Sequence, residues 1–116
     1  MKLDEVVYLK HIIEAIERIE QFTNKISKSE FDENVLVQDG VIRRLEIIGE
    51  ATKNISSDFK AKYPDIEWKK AAGLRDVLIH SYFGVDLDLV WDIAKRELPD
   101  LKKKIARVLA KVQKAK

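Results

Sequence analysis

Apolar residues recur at steps of three and four along most of the chain. Val6, Leu9, Ile13 and Ile16 form one stripe, Glu20 continues it, and Ile12 and Ile19 widen it. That spacing predicts a helix from Asp4 to Phe22, with Asp4 as its cap and Glu5 adding acid to its first turn. Thr23 to Asp32 is polar and reads as a loop, with one turn of helix after Ser29 as the alternative. Val37, Val41, Ile42, Leu45, Ile48 and Ile55 then predict a second long helix, from Glu33 to Ile55. Ser56-Ser57-Asp58 resembles a cap for a short helix from Phe59 to Lys62. Pro64 ends that helix and biases Tyr63 toward extended backbone. Leu74, Val77, Leu78 and Ser81 fall on one face of a further helix, bounded by Gly73 and Gly84. Asp86 or Asp88 caps the next, whose stripe is Leu87, Val90, Trp91, Ala94 and Leu98. Pro99 falls inside the pattern, where it should kink or split the helix. Leu101, Ile105, Val108, Leu109 and Val112 keep helical spacing to near the end.

No strand-like alternation of useful length appears. The reading is an all-α, up-and-down bundle of four or five helices in a single domain spanning 1–116. Gly40 and Gly49 lie inside the second long helix, where glycine costs about 1 kcal/mol against alanine. They suggest close backbone approach to a neighbouring helix or across a dimer, although simple tolerance explains Gly40 equally well. Trp68 fits a core anchor better than a base-stacking platform.

Charge and cysteine content narrow the function classes. The formal charge is +2, so the chain carries no general field for nucleic acid, and binding there would need a local basic patch. From Leu101 onward seven residues are basic and none is acidic. A solvated helix C-terminus explains them, and a phosphate-tracking surface is the functional alternative. The chain has no cysteine, which is compatible with a reducing cytoplasm. Met1-Lys2-Leu3-Asp4-Glu5 has no apolar signal core, and no run reaches transmembrane length. A cytoplasmic protein, with no membrane association, is expected.

The candidate chemistry gathers in Arg75-Asp76-Val77-Leu78-Ile79-His80-Ser81-Tyr82. The chain has two histidines, and His80 is the first candidate for proton transfer near neutral pH. His11 reads as a surface helix residue. On a helix, Asp76 and His80 stand at i and i+4, so Asp76 can fix the imidazole tautomer. Arg75 and His80 are turned about 140° apart. A site using both, together with Tyr82, needs a second surface, and a two-fold homodimer would supply it. Glu50, beside Gly49 on an apolar helix, is either solvated or part of a site.

Several chemistries fit poorly. No second histidine or cysteine stands at ligand spacing from His80, so no metal site is expected. There is no Gly-rich phosphate loop. Ser81 adjoins His80 in sequence and so does not face it on a helix. Cleavage of an RNA phosphodiester fits better and requires no cofactor, because the ribose 2′-hydroxyl is the nucleophile. Histidine can move the protons and arginine can steady charge at phosphorus.

Arg75, His80 and Tyr82 match the R-x4-H-x-Y signature of the HEPN superfamily, in its HepT-like toxin branch. Ile48-Gly49-Glu50-Ala51 resembles that branch's Gly-Glu-Ala element, and Pro64-Asp65-Ile66-Glu67-Trp68 its lead-in to the motif helix. Tyr82-Phe83-Gly84-Val85-Asp86, Val90-Trp91 and Leu98-Pro99 with Leu101 resemble its later landmarks. The resemblance covers nearly the whole chain in order. It implies an all-helical homodimer with the motif helices near the two-fold axis. It also implies a metal-independent endoribonuclease acting as the toxin of a toxin–antitoxin module. Arg75 and His80 carry over as the catalytic pair, Asp76 as polar support, and Glu50 as a matching element without a catalytic role. The implied partner is an MntA-like minimal nucleotidyltransferase antitoxin, which transfers AMP from ATP to the motif tyrosine, here Tyr82. Two alternatives stay open: a non-cleaving HEPN subunit that holds a nucleotidyltransferase, and a helical dimer whose motif serves packing.

Overall fold

Leu9, Ile12, Ile16 and Ile19 are almost wholly removed from solvent along one face of α1 (Leu3–Thr23). The apolar stripe of the first helix is therefore the inner face of the bundle. The structure is a computed structural model that describes residues 3–79 and 86–114. All regular structure among these residues is helical.

Three long helices make the frame. The second is α3 (Val35–Asn54), which buries Val41, Leu45 and Ile48 against α1. Its start meets the end of α1, where Phe22 lies against Gly40, and the Ser56 amide just past its end donates to the Glu5 carboxylate at 3.4 Å. The two helices therefore run antiparallel. The third, α8 (Leu98–Lys114), buries Ile105, Val108 and Val112. Lys102 near its start donates to Glu20 near the end of α1 at 2.8 Å, so this pair is antiparallel too. Glu20, the polar member of the first apolar stripe, is half-buried because Lys102 partners it.

The polar stretch after α1 is a loop only as far as Ser27, and the helical turn allowed after Ser29 is longer and begins at Lys28. This helix is α2 (Lys28–Glu33). Ser27 caps the helix with a reciprocal pair: its hydroxyl accepts from the Glu30 amide, and Glu30 accepts from the Ser27 amide. Its one apolar side chain, Phe31, is fully buried against Trp91 with ring centroids 5.1 Å apart. Asn34 then caps α3 by accepting from the Val37 amide.

α4 (Ser57–Lys62) is capped by Ser56, and Tyr63 closes it ahead of Pro64. The Trp68 indole is buried and donates to the Tyr63 carbonyl at 3.0 Å, which makes it a core anchor at this corner. The motif-bearing segment divides at Gly73 into α5 (Trp68–Ala72) and α6 (Leu74–Ile79). Leu74 is buried, as its place on the apolar face predicts. The expected roles of Val77, Leu78, Ser81 and the terminator Gly84 lie outside the described side chains.

Asp86 caps α7 (Leu87–Asp92), its carboxylate accepting from the Leu89 amide. Pro99 neither splits nor stops the rod that follows. A π-helical turn (Ile93–Glu97) precedes α8, and the Leu98 amide bonds the Ile93 carbonyl. This wider turn takes up the missing N–H and the ring clash that proline brings to an α-helix. Lys95 within it lies over the Trp91 ring at 5.0 Å and donates to the Thr23 carbonyl at 3.0 Å. Among the described residues no helix is long and apolar enough to cross a membrane.

Candidate active site

Glycine decides how close α6 comes to α3. A Cβ added at Gly49 would stand 2.9 Å from both the Arg75 backbone nitrogen and the Arg75 Cβ, and 3.1 Å from the Ala72 carbonyl oxygen. The close helix approach expected of Gly49 is present, and Arg75 itself is what approaches. A Cβ added at Gly40 would stand 3.0 Å from the edge of the Phe22 ring, a contact that a small turn of that ring relieves.

That approach sets Arg75 beside the next residue of α3. Arg75 Nη1 donates to Glu50 Oε2 at 2.8 Å. The Arg75 side chain is 39% exposed and the Glu50 side chain 56% exposed, so the pair is wet and its net worth is small, about 1 kcal/mol or less. Its consequence is positional: one edge of the guanidinium is held, and its remaining N–H groups can meet a phosphate. Asp76, beside it, is exposed, consistent with its place off the buried face. Whether Asp76 steadies an imidazole turns on His80, which with Tyr82 lies outside the described residues.

Arg75 lines an open cleft of about 410 Å³ between α1 and α3. Tyr8 and His11 form the α1 wall. Arg43, Glu46, Ile47 and Glu50 form the α3 wall, with Ala51 and Asn54 beyond them. His11 is an exposed helix residue, as its position predicts, but it faces the cleft that holds Arg75. Its neighbours Tyr8, Arg43 and Glu46 were not legible as site residues. The available signal is a polar row on α3, positions 43, 46, 50 and 54, alongside its buried row. A second cavity of about 240 Å³ lies between α5 and the π turn. Lys70 spans it to Glu97, and that contact raises the lysine's affinity for its proton.

A cleft with one anchored guanidinium, a second guanidinium and an imidazole suits an anion with a planar group attached. The comparisons decide between such ligands. The model of a family described as "Ribonuclease HepT-like" matches residues 12–108. The chain belongs to the HepT-like ribonuclease family. It is 48% identical over 108 residues to "Probable ribonuclease HepT" of Thermococcus cleftensis, covering 93% of this chain and 98% of that one. It is 46% identical over 116 residues to "Gamma-glutamylcyclotransferase and putative RNase MJ0434" of Methanocaldococcus jannaschii. That match takes in the whole of this chain but spans only 52% of the relative's length. "Putative RNase TTE0752" of Caldanaerobacter subterraneus is 38% identical over 104 residues. No solved structure matches the chain. Membership of a ribonuclease family makes an RNA phosphodiester the ligand to weigh for the Arg75 cleft.

Proposed function

We propose that this HepT-like ribonuclease is an endoribonuclease and the toxin of a toxin–antitoxin pair, with Arg75 and His80 as its catalytic groups. The observation that carries the reading is the Arg75 guanidinium, held by Glu50 at the mouth of an open cleft, five residues before His80 in the chain. Two copies pair about a two-fold axis and bring both motif segments to one substrate. The ribose 2′-oxygen attacks phosphorus while a His80 imidazole takes its proton. The bond from phosphorus to the 5′-oxygen breaks, and a protonated imidazole supplies the proton to that leaving oxygen. Arg75 neutralises charge gathering on the non-bridging oxygens. The products are a 2′,3′-cyclic phosphate and a free 5′-hydroxyl.

Regulation follows from Tyr82, two residues beyond His80. A minimal nucleotidyltransferase partner transfers AMP from ATP to its hydroxyl, the tyrosine oxygen bonding the α-phosphorus as pyrophosphate leaves, and so adds a phosphodiester and a nucleoside that compete with substrate. Cleavage of a labelled RNA by the wild type, His80→Ala and Arg75→Ala tests the catalytic pair. Activity in the wild type that both substitutions abolish without loss of thermal stability is expected. Equal activity in all three, or none in any, favours a subunit that only holds a transferase. Mass spectrometry after incubation with the neighbouring transferase and ATP tests the modification, and a Tyr82 that gains no AMP counts against it.

A further inference from the structure

We propose that the cleft on either side of Arg75 is a nucleotide subsite. Arg43 takes a phosphate on one side of the scissile one, and Tyr8 with His11 stacks a base of the same single-stranded RNA on the other side of Arg75. The inference rests on the ribonuclease reading of Arg75 and assigns ligand chemistry to residues that lie far from the motif in sequence.

Three observations converge. The first is continuity: Tyr8, His11 and Arg43 line the same cleft as Arg75, so a strand held at Arg75 passes them. The second is charge. Arg75 shares its guanidinium with Glu50, whereas Arg43 is exposed and makes no ion pair among the described residues. Arg43 and Glu50 are seven residues apart on α3, about 10 Å along the axis. The third is the opposite wall. Tyr8 and His11 stand at i and i+3 on α1, one turn apart on one face, with Tyr8 half-buried and His11 exposed. Two flat rings in one cleft with a guanidinium that makes no ion pair among the described residues are the components of a single-strand platform, where each base contributes through its π face. The volume of about 410 Å³ falls within the range of sites for small ligands, and the open side lets a longer strand leave. Glu46 on the α3 wall repels a second phosphate, so the wall takes one phosphate at Arg43 rather than a duplex backbone.

The test separates binding from cleavage by using a fluorescein-labelled 2′-O-methyl oligoribonucleotide, whose blocked 2′-oxygens cannot attack. Fluorescence anisotropy gives Kd across a salt series for the wild type, Arg43→Ala, His11→Gln and Tyr8→Leu. Arg96→Ala, at the other cavity, is the control. Arg43→Ala is expected to weaken binding about tenfold and to lower the salt slope by about 0.7, the loss of one single-strand phosphate contact. His11→Gln and Tyr8→Leu weaken binding with an unchanged slope, as lost stacking requires. Arg96→Ala matches the wild type. Thermal denaturation accompanies each variant, so that a folding defect is seen as such. Absence of binding by the wild type overturns the proposal. So does an Arg43→Ala or His11→Gln protein with wild-type Kd and slope, which would leave the wall free for a protein partner. The two readings fail separately. Arg43-dependent binding without cleavage of ordinary RNA removes the catalytic reading and keeps the subsite. Normal cleavage with Arg43-independent binding does the reverse.

Discussion

Arg75 reaches across from α6 to α3 and donates through Nη1 to Glu50 Oε2 at 2.8 Å. Both groups are exposed enough that water competes for them, so the contact orients the guanidinium more than it stabilises the fold. Glu50→Gln keeps an acceptor oxygen at the same place and removes the charge. Unfolding free energy should change by less than about 1 kcal/mol. Binding of RNA should tighten by about threefold to tenfold, because one negative charge leaves the neighbourhood of the substrate phosphate. Cleavage should persist. Loss of cleavage with intact binding would instead make Glu50 a proton carrier, contrary to its place as the partner of Arg75.

The two helical glycines should respond oppositely to alanine. At Gly49 the new methyl meets Arg75 backbone and Cβ at 2.9 Å and the Ala72 carbonyl at 3.1 Å, none of which can swing away. Overpacking should exceed the helix-propensity gain and cost about 1–3 kcal/mol. It should also shift Arg75 off Glu50, so cleavage falls in protein that is still folded. At Gly40 the obstacle is the edge of a half-buried Phe22 ring, which can turn by a few tenths of an ångström. Gly40→Ala should lie between neutral and about 1 kcal/mol more stable. Urea unfolding of the two variants checks the contrast, and equal effects would refute it.

What the chain reveals by itself follows from the range of each interaction. The long helices were legible because burial repeats every three or four residues, as Leu9, Ile12, Ile16 and Ile19 do. Gly49 was legible as a close approach because glycine inside an apolar helix needs a reason, but its partner was not. Arg75 and Glu50 are 25 positions apart, and Lys102 and Glu20 are 82 apart, so no local pattern joins them. α2 was legible only as a single turn after Ser29, because six residues with one apolar member carry no period. Its signal lay in the capping pair Ser27 and Glu30. The short helix Trp68–Ala72 ahead of Gly73 was not legible, because the apolar face of the motif segment says nothing about the turn before it. His80 and Tyr82 remain assignments from sequence.

Phe31 tests whether α2 matters to stability. It is fully buried, stacked obliquely on Trp91, and is the only apolar residue of its helix. Phe31→Ala should cost about 3–5 kcal/mol, lowering Tm by more than about 10 °C. Ser27→Ala removes only the cap and should cost about 1 kcal/mol. If Phe31→Ala were no worse than Ser27→Ala in thermal denaturation, α2 would be an appendage rather than part of the core.

The joint between α8 and α1 should show itself in alkali. Lys102 donates to Glu20 at 2.8 Å and lies 3.9 Å from Glu17. The hydrogen bond to Glu20 is the main reason its proton is held above the ordinary lysine value of 10.5, with partial burial opposing. A folded-state value raised above the unfolded one means the stabilisation is fully present below pH 10.5. It disappears as pH climbs through the folded value. Lys102→Met keeps most of the aliphatic stem and deletes the charge. At neutral pH its urea midpoint should lie below that of the wild type, by no more than about 1 kcal/mol of stability. Above the folded value the two midpoints should converge, and high salt should narrow the neutral-pH gap. A gap that stays constant through alkali would mean Lys102 contributes packing alone. The antiparallel seating of α8 on α1 would then rest on Ile105, Val108 and Val112 without help from charge.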